Sequence, residues 1–334
     1  MSKYAQRLFF AKSIHRTELD GPLMGAPRRK KPFEPTPDEP LIVSASEIGQ
    51  FNRCRLQWNW EKRVGLRSTK VSPPRVNGIM VHAGKEEFYA LPRKKRTTEA
   101  MERSAKRAFK KIKEVPINEK DRELATAMLL GYTEWVKNDE NENSDRNIGK
   151  RVVVPEWQFV LPLVKDRSIL IRGKIDEMFE PTIYKRVLAL DETKTKNGIS
   201  FDMMDLDAQL TTYLWTMWKA STDKRCPLPE PFRGRKYDRF IAWRTVLRRQ
   251  MPGPRVKAPL FGRESIERTE DELRMWETDT LRVVRDMLDA AIYPNKNESC
   301  RFNCDFYQLC LARGNKSDML AIIEEQFTSK EKSK

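Results

Sequence analysis

Two apolar segments that each run into acidic residues decide the fold of this chain: ILIRGKID at residues 169–176 and VLALDETK at residues 187–194. Short runs rich in branched aliphatic residues are typical of buried β-strands. The first run leads to Asp176 and the second leads to Glu192. Burying a carboxylate is costly unless it is paired or binds a metal ion. We therefore expect two adjacent strands that bring Asp176 and Glu192 together.

The residues around Glu192 are of the types that bind a divalent metal ion. Magnesium and manganese prefer hard oxygen ligands, so Asp176, Glu192 and the backbone carbonyl of Thr193 are candidate ligands. Lys194 lies two residues after Glu192 and so shares its face of a strand. Its ammonium group could orient an attacking water or stabilise developing charge. The pattern indicates a site that hydrolyses phosphodiesters; the alternative is a set of ordinary exposed strand residues.

The periodicity of the flanking sequence predicts further helices and strands. Ser44 and Glu47 form a capping box that opens a helix after the apolar residues from Leu41. Further predicted helices cover 78–89, 98–114, 119–137, 205–220 and 266–291, and predicted strands cover 152–163, 169–179, 187–190 and 237–247. This order predicts an α/β (α+β) fold in which helices flank a mixed central sheet and a helical region precedes it.

Composition sets the predicted domain boundaries. A basic cluster at 28–31 and closely spaced prolines predict a loosely ordered tail over 1–40. We predict one domain over 41–313 and a charged tail over 314–334. Within the domain, the predicted parts are a helical region (85–150), a catalytic core (151–250) and a C-terminal helix with a cysteine cluster (266–313).

The charge balance favours a polyanionic partner. Lys+Arg 64 against Asp+Glu 48 gives a formal net charge of +16, although a solvated basic surface that binds nothing specific is the alternative. Arg244 lies in the predicted strand that begins at Tyr237 and Arg248 directly follows that strand, so both could line the site and contact phosphates. No apolar run approaches the roughly 20 residues of a membrane helix. We expect no membrane partner and a cytoplasmic location.

Four of the five cysteines form a pattern that is typical of a metal centre. Cys300, Cys304 and Cys310 cluster near the end of the chain, and Cys54 lies far upstream. Four thiolates can bind an iron–sulfur cluster or a structural zinc ion. The residues alone do not decide between the cluster and the zinc ion. A third interpretation is that the three C-terminal cysteines are reduced thiols on a short helical segment.

Several short motifs follow one another in an order that resembles a known family. They are Ser44-Ala45-Ser46-x7-Cys54, Gly78-x3-His82-x3-Glu86, Gly173-Lys174-Ile175-Asp176, Asp191-Glu192-Thr193-Lys194-Thr195 and Gln209-x3-Tyr213. Together they resemble the PD-(D/E)XK nuclease superfamily, and most of all its RecB-like branch, which includes the CRISPR-adaptation exonucleases and many phage nucleases. The resemblance extends over about residues 41–311. It implies a restriction-endonuclease-like form of the predicted fold.

The resemblance also implies roles for individual residues. Many relatives carry an acid two residues before the lysine, so we predict Glu192 rather than Asp191 as the ligand beside Lys194. In relatives, one cysteine before the core and three after it bind a [4Fe–4S] cluster, although relatives commonly have two residues rather than three between the first pair. The implied roles are metal ligation for His82, Asp176 and Glu192, catalysis for Lys194, support of the site and substrate-backbone contact for Gln209 and Tyr213, and cluster ligation for Cys54, Cys300, Cys304 and Cys310.

These features together predict a metal-dependent DNA nuclease that uses Mg²⁺ or Mn²⁺. We expect an exonuclease that acts on DNA ends or single strands during recombination, repair or replication, in a prokaryotic or phage-infected cell. A non-catalytic DNA-binding subunit and a structure-specific endonuclease are the alternatives. The sequence has no phosphate-binding loop of an ATP-driven motor, so a helicase or recombinase would have to act in trans.

Overall fold

The computed structural model describes residues 34–69, 72–113, 115–140, 150–182, 184–223, 226–253, 256, 259–289 and 291–329. The predicted basic cluster at 28–31 and most of the predicted tail over 1–40 lie outside these residues. None of the helices in the described part of the chain is both long and apolar enough to cross a membrane.

The described chain contains both helices and strands, with three helices in succession before three strands in succession. The α-helices are α1 (Ala45–Arg53), α2 (Arg55–Trp58), α3 (Pro73–Tyr89), α4 (Thr98–Lys111), α5 (Glu119–Glu140), α6 (Ala208–Thr222), α7 (Glu270–Asp289), α8 (Cys300–Asn303), α9 (Tyr307–Leu311) and α10 (Lys316–Gln326). The strands are β1 (Leu41–Ser44), β2 (Leu66–Ser68), β3 (Lys150–Pro162), β4 (Ile169–Pro181), β5 (Val187–Lys196), β6 (Arg239–Arg248), β7 (Phe261–Glu267) and β8 (Phe327–Ser329). The predicted fold class, a mixed sheet flanked by helices, is confirmed.

The chain divides into two compact units. Unit 1 comprises Met1–Lys70, Phe159–Gly173 and Arg274–Lys334, and unit 2 comprises Val71–Gln158 and Lys174–Leu273. The prediction of a single domain over 41–313 stays a prediction.

Unit 2 is organised around mixed strand pairing. β4 and β5 are antiparallel, β5 and β6 are parallel, and β6 and β7 are antiparallel. Phe179, Ala189 and Trp243 form a buried apolar cluster on these strands. A second core joins α3, α4 and α5, and a Cβ on Gly84 of α3 would lie 2.5 Å from Cδ1 of Leu129. The close approach of α3 and α5 at Gly84 fixes the helix that carries His82.

Unit 1 contains the first strand and the C-terminal helices. β1 pairs in parallel with the beginning of β4, and β2 pairs antiparallel with β8. The predicted capping box is present, because Ser44 Oγ accepts a hydrogen bond from the Glu47 backbone N–H at 3.2 Å. Phe306 stacks on Phe327 with ring centroids 5.0 Å apart, and both belong to a small apolar core.

The C-terminal part of the chain differs from the sequence prediction. The predicted helix over 266–291 begins at Glu270, and the preceding residues form β7. β7 escaped prediction because it contains Arg263, which is buried by ion pairing rather than exposed as its charge suggests. Residues within the predicted charged tail over 314–334 form α10, which is capped by Asn315, and β8.

Candidate active site

Asp176 of β4 lies at the centre of the candidate site. Its Oδ2 is 3.2 Å from Nδ1 of His82 in α3. The same oxygen accepts a hydrogen bond from the backbone N–H of Thr193 at 3.0 Å. The strand register pairs Glu177 with Asp191, so the preceding Asp176 lies beside Glu192 on the neighbouring strand. Strand pairing and α3 thus bring three of the predicted ligands together.

Burial and neighbouring charge shift the pKa values of His82 and Asp176 in opposite directions. Burial alone raises the pKa of Asp176, but the charge of His82 and the Thr193 N–H outweigh it and lower that pKa. Burial alone lowers the pKa of His82, but the charge of Asp176 outweighs it and raises that pKa. The pair therefore favours an ionised carboxylate, which a cation requires. A metal ion at His82 has to displace the imidazole proton.

Glu156 of β3 is a further candidate ligand that the sequence analysis missed. One side-chain atom each from His82, Glu156 and Asp176 lie within 4.8 Å of one another. Glu156 has a positive φ of 51°, and Lys174 forms an ion pair with its carboxylate. A local distortion of this kind re-aims a side chain relative to the alternating pattern of the strand. The signal that could have revealed it is Pro155, since proline within a strand marks an edge or a bulge.

Glu192 of β5 is almost completely buried, with 2% of the residue exposed. Its Oε1 forms an ion pair with Lys194, whereas its Oε2 has no hydrogen-bond partner among the described residues. Burial and the charge of Asp176 raise the pKa of Glu192 to about 7, against the opposing effect of Lys194. Glu192 is not part of the 4.8 Å set, but its unpaired oxygen is the kind of buried acceptor that a cation satisfies.

Lys194 is held by a chain of side-chain contacts from α6. Its Nζ pairs with Glu192 and donates to Oε1 of Gln209 at 3.0 Å. Nε2 of Gln209 in turn donates to the Tyr213 hydroxyl at 2.8 Å. Burial and the charge of Glu192 raise the pKa of Tyr213, so the phenol stays protonated near neutral pH. The predicted helix face of Gln209 and Tyr213 therefore does contact the predicted lysine.

The two predicted DNA-contacting arginines lie at different distances from this cluster. Arg244 is the register partner of Glu192 on β6 and forms an ion pair with Asp207. Arg248 lies four residues further along β6, about 13 Å at the rise of an extended strand. Its Nε donates to the backbone carbonyl of Asn197 at 3.0 Å. The structure brings Arg244 to the site, and it does not bring Arg248 there.

The opposite face of β5 carries a buried ionic network centred on Asp191. Oδ2 of Asp191 accepts from Lys150 Nζ at 2.8 Å and from Arg263 Nη2 at 3.3 Å. Its Oδ1 accepts from the Thr245 hydroxyl at 2.6 Å. Burial alone raises the pKa of Asp191, but the surrounding cations lower it far below its ordinary value. Asp191 is therefore already satisfied by protein groups.

Lys85, one turn after His82 on α3, joins the candidate site to this network. Its ammonium lies 2.7 Å from Oε1 of Glu177 and donates a hydrogen bond to the hydroxyl of Thr193. Thr193 thus contacts Asp176 through its backbone and Lys85 through its side chain. The proposed ligation by the Thr193 carbonyl stays a prediction.

The four cysteines singled out in the sequence lie together in unit 1. Cys54, Cys300, Cys304 and Cys310 line a single cavity of about 210 Å³. Burial raises the pKa of the Cys304 and Cys310 thiols, and the neighbouring thiols raise them further. Within the described part of the chain, these sulfurs do not form a set of three that lie within 4.8 Å of one another.

The mixed sheet, with two acids and a lysine on its paired strands, defines a nuclease core. A family model for the PD-(D/E)XK nuclease superfamily matches residues 42–311, and the chain belongs to that superfamily. The matched range is close to the one expected from the sequence motifs. The RecB-like branch stays a proposal.

Comparison with solved structures gives distant similarities. A crystal structure of an Eubacterium rectale protein that carries the provisional name of exonuclease covers 78% of this chain and 88% of its own, with 13% sequence identity and a TM-score of 0.40. The structure of SSO0001 covers 81% of this chain and 86% of its own, with 13% identity and a TM-score of 0.32. At these scores neither alignment bears on activity. Among curated proteins, no sequence matches this chain.

Proposed function

We propose that this protein is a metal-dependent deoxyribonuclease of the RecB-like branch that acts as an exonuclease. The observation that carries the proposal is the arrangement of Lys194 beside Glu192, whose second carboxylate oxygen has no partner within the described chain. Next to them lies the His82–Asp176 pair. A buried carboxylate with an unpaired oxygen destabilises a protein unless a ligand binds that oxygen.

The donor set fits a hard divalent cation. His82, Glu156, Asp176 and Glu192 offer carboxylate oxygens and one imidazole nitrogen, a set that suits Mg²⁺ or Mn²⁺. When bound, such an ion polarises a phosphoryl oxygen and lowers the pKa of a bound water. The Lys194 ammonium orients the attacking water or stabilises negative charge on the phosphoryl oxygens. Gln209 holds Nζ of Lys194 in place, and Tyr213 holds Gln209.

The substrate we propose is DNA, at ends or in single-stranded form. A net charge of +16 favours association with a polyanion. Helix α4 is rich in basic residues, but Lys106 pairs with Glu102 and Lys111 pairs with Glu87. We therefore assign the phosphate contacts near the site to Arg244 rather than to α4. We further propose a cytoplasmic role in recombination, repair or replication, with any helicase or recombinase acting in trans.

We propose that Cys54, Cys300, Cys304 and Cys310 bind a [4Fe–4S] cluster rather than zinc. Thiolates around a tetrahedral zinc ion, with Zn–S of about 2.3 Å, lie about 3.8 Å apart. The sulfurs line one cavity, but within the described residues no three of them lie within 4.8 Å of one another. The indole N–H of Trp60, which also lines the cavity, meets no hydrogen-bond acceptor in the described chain. The sulfides of a cluster and the thiolates that bind it are both acceptors for this donor.

The test of the proposed activity uses DNA substrates that separate exonuclease from endonuclease action. Linear duplex and single-stranded DNA, labelled at either end, should be degraded from an end when Mg²⁺ or Mn²⁺ is present. A covalently closed circle should stay intact in the same reaction. Nicking of the circle would instead assign an endonuclease. Salt-dependent DNA binding without cleavage in either metal would instead assign a non-catalytic subunit.

A further inference from the structure

The guanidinium group of Arg244 has two buried donors that no residue of the described chain satisfies. Its Nη1 pairs with Oδ2 of Asp207. Its Nε and Nη2 are buried and have no hydrogen-bond partner in the described part of the protein. Only 9% of the side chain is exposed, so bulk water does not readily satisfy these donors. Unsatisfied buried donors are rare in native proteins and call for an explanation.

The two unpaired donors lie on one edge of a planar group. Nε and Nη2 of an arginine point two N–H bonds in nearly parallel directions, which matches two oxygens of one carboxylate or phosphate group. Glu192, the register partner of Arg244, does not satisfy these donors: its Oε1 pairs with Lys194, and its Oε2 has no hydrogen-bond partner in the described chain. The remaining candidate is an anion from outside the chain.

Strand order places this edge beside the proposed catalytic carboxylates. β5 lies between β4 and β6, so Glu192 separates Asp176 from Arg244 across the sheet. Neighbouring strands are about 4.8 Å apart. Measured between backbones, Arg244 therefore lies about one strand spacing from Glu192 and about two from Asp176. That separation suits a phosphate of the same nucleic-acid strand as the scissile one.

We propose that the Nε–Nη2 edge of Arg244 binds two oxygens of one backbone phosphate of the substrate strand, on the β6 side of Glu192. The proposal rests on the proposed nuclease function and names a subsite within it. Asp207 acts as a positioning residue, because it holds Nη1 and so leaves the other edge without a protein partner in the described chain. Asp207 also caps α6 by accepting from the Leu210 N–H at 2.9 Å. The phosphate subsite is thereby linked to the helix that carries Gln209.

The proposal is tested by pairing a change in the protein with a change in one phosphate. A fluorescent single-stranded oligonucleotide is made as a series, each with one linkage replaced by an uncharged methylphosphonate. Binding is measured with Ca²⁺ in place of Mg²⁺, and a gel confirms that the oligonucleotide stays intact. The parent protein should lose affinity on the order of tenfold at one linkage, as expected for a charged hydrogen-bonded pair. In Arg244→Gln, the methylphosphonate at that linkage should weaken binding by no more than about twofold. The partner of that phosphate is already missing from the variant, and the effects of two changes that remove the same contact are not additive.

Matched variants separate this role from a structural one. Arg239→Gln changes an exposed arginine of the same strand, paired with Glu267, and should keep the full loss at the same linkage. Asp207→Asn keeps an N-cap residue but removes the charge that holds Nη1, so its loss at that linkage should be smaller than that of the parent. Arg244→Lys keeps the positive charge but lacks the two-donor edge, so it should show the same small loss at that linkage as Arg244→Gln. It provides the test if the glutamine variant folds poorly.

An equal loss in the parent and in both Arg244 variants at every linkage would overturn the proposal. Such a result would mean that ordered water satisfies the two donors. Metal-dependent cleavage by the parent is recorded separately. A protein that cleaves DNA but lacks this coupling would refute the subsite alone and leave the proposed nuclease function standing.

Discussion

Asp191 and Glu192 are consecutive residues of β5, yet their carboxylates lie in different surroundings. Asp191 accepts hydrogen bonds from Lys150 at 2.8 Å and from Thr245 at 2.6 Å. Glu192 pairs with Lys194 and keeps one oxygen unpaired within the described chain. Successive side chains of a strand point to opposite faces. The strand therefore supplies one acid to the structural network and the other to the candidate site.

We expect substitutions of these two acids to differ in their effect on stability. Asp191→Asn leaves Lys150 and Arg263 buried without their carboxylate, and the free energy of unfolding should fall by about 3–5 kcal/mol. Glu192→Gln removes a carboxylate that is already disfavoured by burial, and that free energy should change by no more than about 1 kcal/mol. Urea unfolding of both variants measures this. A Glu192→Gln variant as destabilised as Asp191→Asn would contradict the division of roles.

Metal affinity should rise with pH across the neutral range. Glu192 must lose its proton to bind a cation, and its pKa is raised to about 7. Its ionised fraction grows from about a tenth at pH 6 to about nine tenths at pH 8, so Mn²⁺ affinity should rise about tenfold. The raised pKa of His82 acts in the same direction.

Calorimetric titration with Mn²⁺ at the two pH values tests this dependence. Glu192→Gln serves as the control, and it should retain only the dependence that His82 contributes. Equal affinity at pH 6 and pH 8 in the parent protein would argue against Glu192 as a ligand.

Glu156 should contribute to metal binding although it lies outside the acid and lysine motifs. It belongs to the set with His82 and Asp176 within 4.8 Å. Glu156→Gln should weaken Mn²⁺ binding by about tenfold or more, as loss of a group near a metal commonly does. Glu267→Gln, which alters an exposed acid on β7, is the control and should bind Mn²⁺ like the parent. Unchanged affinity in Glu156→Gln would remove it from the ligand set.

The cysteine cavity should contain iron. Protein purified without oxygen should be brown, and Cys54→Ser should lose both iron and thermal stability, because a cluster joins segments that lie far apart in the sequence. Cys226→Ser is the matched control, since Cys226 is absent from the cavity lining, and it should keep its iron. Metal analysis of both proteins decides the point. A colourless parent protein with stoichiometric zinc would contradict the assignment.

Local sequence rules were enough to predict the central strands and the placement of Glu192 and Lys194 on one face of a strand. The period of two separates Asp191 from Glu192 whatever the surrounding fold is. The spacing of four residues likewise put Gln209 and Tyr213 on one helix face, and the structure joins them by a hydrogen bond. Such features depend on the backbone repeat alone.

Features that depend on tertiary pairing could not be predicted in the same way. Lys85, Lys150 and Arg263 read as surface charges, but each is buried because Glu177 and Asp191 lie opposite them. For the same reason, the sequence did not predict β7, which contains Arg263. Hydropathy assigns a charged residue to the surface, and only the identity of its partner reverses that assignment.

The rate of Mg²⁺-dependent cleavage of end-labelled DNA by Lys194→Ala, compared with the parent protein, tests the central claim most directly. Lys196→Ala, which alters an exposed lysine of the same strand, is the matched control. We predict that Lys194→Ala cleaves at least about a hundredfold more slowly, because the charge beside the reacting phosphate is lost. The control should cleave like the parent. Cleavage by Lys194→Ala at the parental rate would contradict the assignment of this site.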